Sequence, residues 1–548
     1  MPYLQAAGAL ASLEAFINAA LREGKLVDPT RIGARFFFTD HDGARISLEL
    51  TRRSSQIRLR FCGDATRSIS GTASTLTPAA LLQHLSAPGG PVFQSRVMNS
   101  IDATIAAPAR KGAPEKWTFI DAEQALKFGH PMHPNPRSRD EMTPATAQRY
   151  APEHEGRFAL EWYAVDPGNS QIGGDAAQAH FATLAQADLG RAHDGHLIPL
   201  HPWQATQLAD DPRISALIES GRMRHVGAGR PDWAATSSMR SLYAPHAPFM
   251  VKTSLSLRLT NSVRHLSLRE VRRGLHISSL LQSPLGKTLR DACPTLNILG
   301  EPGYVAIIDN DGRLCPETIA VLRDNPFDGT ASGPVLLAAL CEAAGTEISP
   351  LGQLVKRLGE NAGPQWFTRF LEVAVRPVLE VRARHGLLFG SHQQNMMVGL
   401  AHGWPTSVWV RDCQGTGHLE GFHDHLTAYC ADVGEGAENM VPAEMGDGLL
   451  TYYVVVNTVM HTLATLVLDG VASEAALIDI WRDALQRWQR ETPGDPTLYH
   501  RLLTRPGLTC KGNFATSLSG VNEADGDAGG QLAAFLEIPN PVVERQPA

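Results

Sequence analysis

Two stretches of the chain carry the residue types that a polyanionic ligand requires. Thr236-Ser-Ser-Met-Arg-Ser241 gathers hydroxyls around an Arg, and Val251–Arg264 alternates apolar residues with Lys252, Ser254, Ser256, Arg258, Thr260, Ser262 and Arg264. Period two predicts a strand with one buried face and one cationic, hydroxyl-rich face. Cations flanked by neutral donors suit the oxygens of a polyphosphate or polycarboxylate. Ser238, Arg240, Ser241, Lys252, Thr260 and Arg264 are therefore candidate ligand contacts; the competing reading is a solvated strand face. On one straight strand Lys252 and Arg264 would stand ~40 Å apart at ~3.3 Å per residue. Both serve one ligand only if the chain bends, and Thr260-Asn261-Ser262 is the expected place.

A second constellation runs from His392-Gln-Gln394-Asn395 to Arg411-Asp412-Cys-Gln-Gly415. Asn395–Leu400 and Ser407–Asp412 read as two strands. Folding them about Gly403 places Asn395 opposite Arg411, with Asp412 alongside. An Asn carbonyl and an Asp carboxylate at one strand end form a seat for Mg²⁺ when phosphate oxygens complete its shell. His392 would stand nearby as a donor to phosphate or carboxylate. The alternative is a set of hairpin-end polar residues satisfying their own backbone.

Histidine supplies the third signal. Gly129-His130-Pro131-Met-His133-Pro134 places each imidazole before a Pro, which disfavours helix and predicts an irregular loop rather than an i,i+3 zinc pair. His201-Pro-Trp-Gln204 reads as a strand-to-helix junction, serving either as a structural turn or as a ligand contact. His418, His423 and His425 lie in an acidic stretch and read as surface residues. The chain contains no GxxxxGK[ST] loop, GxSxG elbow, HExxH helix or GxGxxG turn.

The elements that must position these residues follow from patterning. Leu10, Leu13, Phe16, Ile17 and Leu21 predict an amphipathic opening helix, with Glu14 and Arg22 between them. Arg35–Asp40, Ala44–Thr51 and Gln56–Cys62 predict an antiparallel meander. The apolar stretch Leu449–Leu468, interrupted by Asn457, Thr458, His461 and Thr462, reads as a buried core helix rather than a membrane span. Ser519–Gly530 reads as a mobile loop. Turn-rich punctuation divides the 548 residues into regions 1–120, 121–330 and 331–548. Segregated helices and strands predict an α+β fold.

Charge is more informative by segment than in total. The chain has 49 Lys+Arg against 56 Asp+Glu, a net −7, which argues against a nucleic-acid partner. Lys252–Arg273 nevertheless holds six cations against Glu270 alone, whereas no Lys or Arg occurs from Asp412 to Trp481. Seven widely spaced Cys without a CxxC pair favour reduced thiols, and a cytoplasmic location is expected.

Together these segments resemble the NRPS-independent siderophore synthetases of the IucA/IucC type. The resemblance is carried, in order, by the His130 and His133 loop, His201-Pro-Trp-Gln204, Ser238-Met-Arg240-Ser241, Lys252 with Thr260 and Arg264, His392-Gln-Gln-Asn395, and Arg411-Asp412-Cys-Gln-Gly415. It implies a hand-like fold with thumb, fingers and palm regions, and a homodimer. It also implies use of ATP and Mg²⁺ to adenylate a carboxylate of citrate, a citrate derivative or 2-oxoglutarate, after which an amine or alcohol displaces AMP. Ser238, Arg240, Ser241, Lys252, Thr260, Arg264, His392, Gln394 and Asn395 would then contact ATP. Asp412 and Asn395 would hold Mg²⁺, while His130, His133, Arg264 and Lys511 would face the carboxylate substrate. Lys252, Arg264 and His392 would carry the catalysis. The chain departs from the family with Gly390 in place of a Glu, Ser241 in place of a Thr, and Arg137 and Glu141 in place of a Lys and a Gly. Two other classes remain in play, a kinase-like phosphotransferase releasing ADP and a non-enzymatic iron or siderophore binder.

Overall fold

The computed structural model describes residues 2–51, 55–522 and 534–543. Most of the Ser519–Gly530 stretch and the segment 52–54 lie outside the described residues. The architecture is α+β, with helices and mainly antiparallel sheets sharing separate apolar cores.

The N-terminal meander has five strands rather than three, in the order Val27–Ile32, Arg35–Thr39, Arg45–Leu50, Phe61–Ile69 and Thr72–Leu76. Alternation in Arg35–Thr39 and Arg45–Leu50 sends Phe36, Phe38, Ile46 and Leu48 into a core beneath helices Pro2–Arg22 and Gly90–Ala106. The strand expected at Gln56–Cys62 starts only at Phe61. Before it, Asn18 of the opening helix takes both Leu59 backbone groups, at 2.8 and 2.9 Å, and so replaces a ladder partner. The opening helix is not polar on its outer face as expected: Glu14 is buried and accepts the Phe61 and Gly345 N–H groups, each at 2.9 Å.

A six-stranded antiparallel sheet forms the middle, in the order Ala234–Ala235, Ser241–Tyr243, Phe249–Thr253, Ala320–Asp324, Gly303–Ile307 and Ser170–Gly173. The largest core lies beyond it. There a four-stranded sheet, ordered Leu296–Ile298, Trp404–Val410, Met396–Ala401 and Val335–Leu336, packs among helices. The Met396–Ala401 and Trp404–Val410 hairpin turns through His402 and Gly403, both with positive φ. Asn395 and Arg411 meet at its open end, where the Arg411 N–H donates to Asn395 O at 3.2 Å. Residues Ala443–Leu468 form one helical run that is long and apolar enough to cross a membrane, but 94% of its apolar window is buried inside the protein. Its middle, Thr451–Met460, is π-helical, which displaces side chains from the α register beside the site.

Candidate active site

Every residue expected to contact ATP, Mg²⁺ or the carboxylate substrate, from His130 to Lys511, lines one cavity of about 380 Å³. Its wall is assembled from both the N-terminal helix and the C-terminal core, so no single region builds it.

The hydroxyl and Arg cluster is the turn between strands Ala234–Ala235 and Ser241–Tyr243. Thr236 N–H donates to Ser241 O at 2.9 Å and Met239 N–H to Thr236 O at 2.8 Å. Met239 adopts the left-handed region at φ 68°. Strand register then sets Ser241 directly opposite Lys252. Lys252 is 2% exposed, so this is not a solvated face; its neighbours Val251 and Thr253 are equally covered, because the sheet is packed on both sides.

Val251–Arg264 is not one strand. It breaks into Phe249–Thr253, Leu255–Leu259 and Ser262–Arg264, and the last two form a hairpin that reverses at Thr260, φ 55°. The reversal pairs Arg264 with Leu255 and so brings it back toward Lys252. Arg264 Nη2 donates to Leu259 O at 3.1 Å and Thr260 Oγ1 at 3.2 Å, while Arg240 Nη1 donates to Arg264 O at 3.2 Å.

Lys252 ion-pairs with Asp412, and Glu301 stands 3.7 Å from its ammonium. Arg323 ties Glu301 at 2.7 Å and approaches Asp412 at 3.9 Å. Burial would raise the Asp412 carboxyl, but Lys252, Arg323 and Arg240 hold it well below the ordinary carboxylate range. Burial lowers the Lys252 ammonium, and Asp412 and Glu301 oppose that shift. Asn395 Nδ2 lies 3.5 Å from Asp412 Oδ2 and 3.2 Å from Gly390 O. Asp412 is held in its ionised form, and Asn395, which turns Nδ2 toward it here, would offer a neutral oxygen on rotating its amide. That donor set fits a hard divalent cation whose remaining ligands come from phosphate.

Three cavity imidazoles share one device. The Nδ1 atoms of His130, His133 and His392 accept the backbone N–H two residues on, from Met132, Asn135 and Gln394, at 3.1, 3.2 and 3.3 Å. Each ring therefore keeps its proton on Nε2, as a hydrogen-bond donor. Burial pushes His392 down to about 4, against the pull of Asp412. Burial, reinforced by His133 and His392, also holds His130 well below its usual range. The loop that carries His130 and His133 hangs on Glu342, which accepts the Lys127, Phe128 and Gly129 N–H groups at 2.6–2.9 Å. Gly129 is required there by φ 87°.

His201 and Gln204 do not reach the cavity. His201 caps helix Pro202–Leu208, and Gln204 clasps the Ser256 N–H at 2.6 Å and hydroxyl at 2.9 Å, so the motif is structural. The three C-terminal His are not simply surface residues: His418 is 1% exposed and pairs with His423 at 3.2 Å, and His425 pairs with His385 at 3.0 Å. Of the family departures, Arg137 lines the cavity and braces the His loop through Lys127 O. Glu141 instead bonds the Arg258 N–H, away from it.

Patterning missed several groups. Glu123 holds Arg411 at 2.6 Å, and Arg411 bonds Ser237 Oγ at 3.0 Å, which fastens the hydroxyl turn to the hairpin. Arg58, Glu14 and His461 also line the cavity. None belongs to a motif in its own segment, and only tertiary contacts reveal it.

Comparison with known proteins places the chain in a family. The model of the IucA / IucC family matches residues 118–342, and that of the ferric iron reductase FhuF-like transporters matches 364–526. Cys413, Cys430 and Cys510 within the second span point instead to Leu299 O, Asp432 and Lys511 O. Among the described residues they join no group of three metal-type donors. The rhizobactin siderophore biosynthesis protein RhbC of Rhizobium meliloti is 35% identical over 455 residues, 79% of this chain and 77% of that protein. The N(2)-citryl-N(6)-acetyl-N(6)-hydroxylysine synthase of Vibrio mimicus is 29% identical over 97% of this chain and 95% of its own. The ATP-bound aerobactin synthetase IucA of Klebsiella pneumoniae superposes with a TM-score of 0.87 at 27% identity, covering 97% of this chain and 99% of that one. By sequence, fold and coverage, this chain belongs to the IucA/IucC family of siderophore synthetases.

Proposed function

We propose that this chain is an ATP-dependent, AMP-forming ligase of siderophore biosynthesis. It activates a carboxylate of citrate or a related polycarboxylate and passes the acyl group to an amine or alcohol. The observation that carries this reading is one cavity in which Lys252, Arg240 and Arg264, the Ser238 and Ser241 hydroxyls and three Nε2–H imidazoles surround an obligately ionised Asp412. The relatives support it: one is named for citryl transfer, and the superposed IucA is ATP-bound.

In the first half-reaction a carboxylate oxygen attacks the α-phosphorus and pyrophosphate leaves. Negative charge grows on phosphoryl oxygens, and preorganised cations stabilise it without a covalent protein nucleophile. Lys252, Arg240 and Arg264 supply those cations, with Ser238, Ser241, Thr260, Gln394 and Asn395 as neutral contacts. His392 donates Nε2–H at the phosphate side; His130, His133 and Lys511 receive the carboxylate substrate. Asp412, with Asn395, would hold Mg²⁺, whose part is to neutralise phosphate charge. In the second half-reaction the acceptor nitrogen or oxygen bonds to the acyl carbon and AMP leaves. We further propose a cytoplasmic location, in keeping with seven free thiols in the structure, and a homodimer, as the family resemblance implies.

The test is carboxylate-dependent pyrophosphate release, with the acyl adenylate trapped by hydroxylamine as a hydroxamate, across citrate, citryl amides and 2-oxoglutarate. Release of pyrophosphate and AMP with at least one acid supports the reading. Release of ADP, or of no nucleotide product with any of them, refutes it.

A further inference from the structure

Arg58 lines the cavity and is 4% exposed, yet it forms no ion pair among the described residues. Arg60, two residues on, also leaves its Nε and Nη2 without a partner, but it does not line the cavity and its charge is met by Asp469 at 3.0 Å, with Glu347 O at 3.0 Å. Arg58 spends only Nη1, on His461 Nε2 at 2.5 Å. Its Nε and Nη2 have no hydrogen-bond partner among the described residues. Those two N–H groups make the side-on fork of the guanidinium, the edge that grips a carboxylate with two parallel hydrogen bonds. A buried cation with that edge unused is poised for an anion that arrives from outside the fold.

The place is distinct from the phosphate side. His392 has Asp412, Arg411, Lys511 and Arg264 as charged neighbours, His130 has His133 and His392, and His461 has Arg58 and His130. Successive neighbours thus link Asp412 to Arg58 through His392, His130 and His461, and His130 is one of the residues expected to receive the donor carboxylate. At the Arg58 end the opening helix presents Ala11 and Ala15, whose small side chains leave room. Glu14 and Asp469 favour the charged form of Arg58 from a distance, but neither forms an ion pair with it among the described residues.

We infer that the Nε–Nη2 edge of Arg58, seated against His461, binds a carboxylate carried by the amine acceptor, so that the acceptor is of the amino-acid class. The inference rests on the ligase reading above. The carboxylate is a handle and is not consumed. It anchors the acceptor at the end of the cavity remote from Asp412 and leaves its amine to approach the acyl group.

The experiment pairs each diamino acid with its decarboxylated counterpart: 2,3-diaminopropanoate with ethylenediamine, ornithine with putrescine, and lysine with cadaverine. Condensation with the donor found by hydroxamate trapping is measured for the wild type, Arg58→Met and Arg58→Lys. In at least one pair the wild type favours the amino acid by about a hundredfold in kcat/KM, because a site built for a charged group rejects the analogue lacking it. Arg58→Met brings that preference to within about threefold, and Arg58→Lys, which keeps charge but loses the fork, keeps only part of it. If Arg58→Met does not fold, a tenfold or greater fall in Arg58→Lys carries the result. Equal use of both members of every pair, including no use of either, overturns the inference. So does a preference that survives both substitutions, or a raised KM for the donor with preference unchanged. Wild-type hydroxamate formation in the same samples separates the outcomes: without it the ligase reading falls, and with it only the acceptor assignment does.

Discussion

Lys252 and Asp412, 160 residues apart in sequence, are joined ammonium to carboxylate in the cavity wall, with the Lys252 side chain 3% exposed. The central sheet supplies the cation and the end of the Met396–Val410 hairpin supplies the anion, so the pair registers one half of the site against the other. In the proposed reaction both partners turn to the nucleotide, Lys252 to phosphate oxygen and Asp412 to Mg²⁺. Replacing Lys252 with Met removes a preorganised cation and is expected to slow pyrophosphate release by about a hundredfold. Steady-state pyrophosphate assays check this; a rate within about threefold of wild type would remove Lys252 from the chemistry.

Arg264→Ala and His392→Ala are each expected to cut adenylation by about a hundredfold while the fold is retained, as circular dichroism would report. Arg264 is returned to the cavity by the Thr260 reversal, and His392 presents its Nε2–H there. Near wild-type pyrophosphate release in both variants would contradict the assignment.

Buried imidazoles give the fold an acid limit. Burial pushes His201 down to about 3, and His385, His392 and His418 to about 4. The unfolded chain, with His near ~6.5, binds protons that the folded chain refuses as pH falls from about 6.5 toward 4, so stability declines across that window. Glu14, raised by burial to about 7, acts oppositely, as do Glu23, Asp324 and Asp447, but buried His130 and His461, also held well below their usual range, add to the four His on the other side. The urea midpoint is therefore expected to be lower at pH 5 than at pH 7. His201→Asn keeps an acceptor for the Trp203 N–H and cannot titrate, so it should shrink the difference; equal midpoints in the wild type at both pH values would contradict the sign.

Gly390 has room for the Glu found in many family members. Its φ is not positive, and a Cβ there would meet only Gly415, at 3.4 Å. Gly390→Glu is expected to fold as stably as the wild type and to lower the KM for ATP severalfold. A large loss of thermal stability, or a raised KM, would show that this chain has repacked the position for another use.

Gln204 tests the structural reading of His201-Pro-Trp-Gln204. Gln204→Ala strands the Ser256 N–H under helix Pro202–Leu208, at a cost of about 1–3 kcal/mol, and should leave the KM for ATP near the wild-type value. Denaturant titration and ATP kinetics on one preparation check both halves; a selective rise in KM without destabilisation would move the motif into the site.

Much of the site was legible because its residues cluster locally and its hairpins are short. The register that sets Asn395 against Arg411 followed from one Gly and the strand alternation around it. The bend at Thr260 followed from the impossibility of two cations serving one ligand from the two ends of a straight strand. What was not legible rests on contacts between distant segments. Arg58 meets His461 across 403 residues, and Glu14 meets Gly345 across 331. No local periodicity encodes either contact. The strand expected at Gln56–Cys62 failed for the same reason, since its ladder was replaced by the Asn18 side chain. His418 was misread because acidic neighbours in sequence say nothing about the packing of strand Gly417–Leu419.

The central claim is that a carboxylate oxygen attacks the α-phosphorus of ATP in the cavity bounded by Lys252 and Asp412. Turnover with a donor whose carboxylates carry ¹⁸O, followed by ³¹P NMR of the nucleotide, tests it directly. An adenylating ligase transfers one ¹⁸O into AMP and leaves pyrophosphate unlabelled. Label in inorganic phosphate with ADP as the nucleotide would place the attack at the γ-phosphorus and contradict the account.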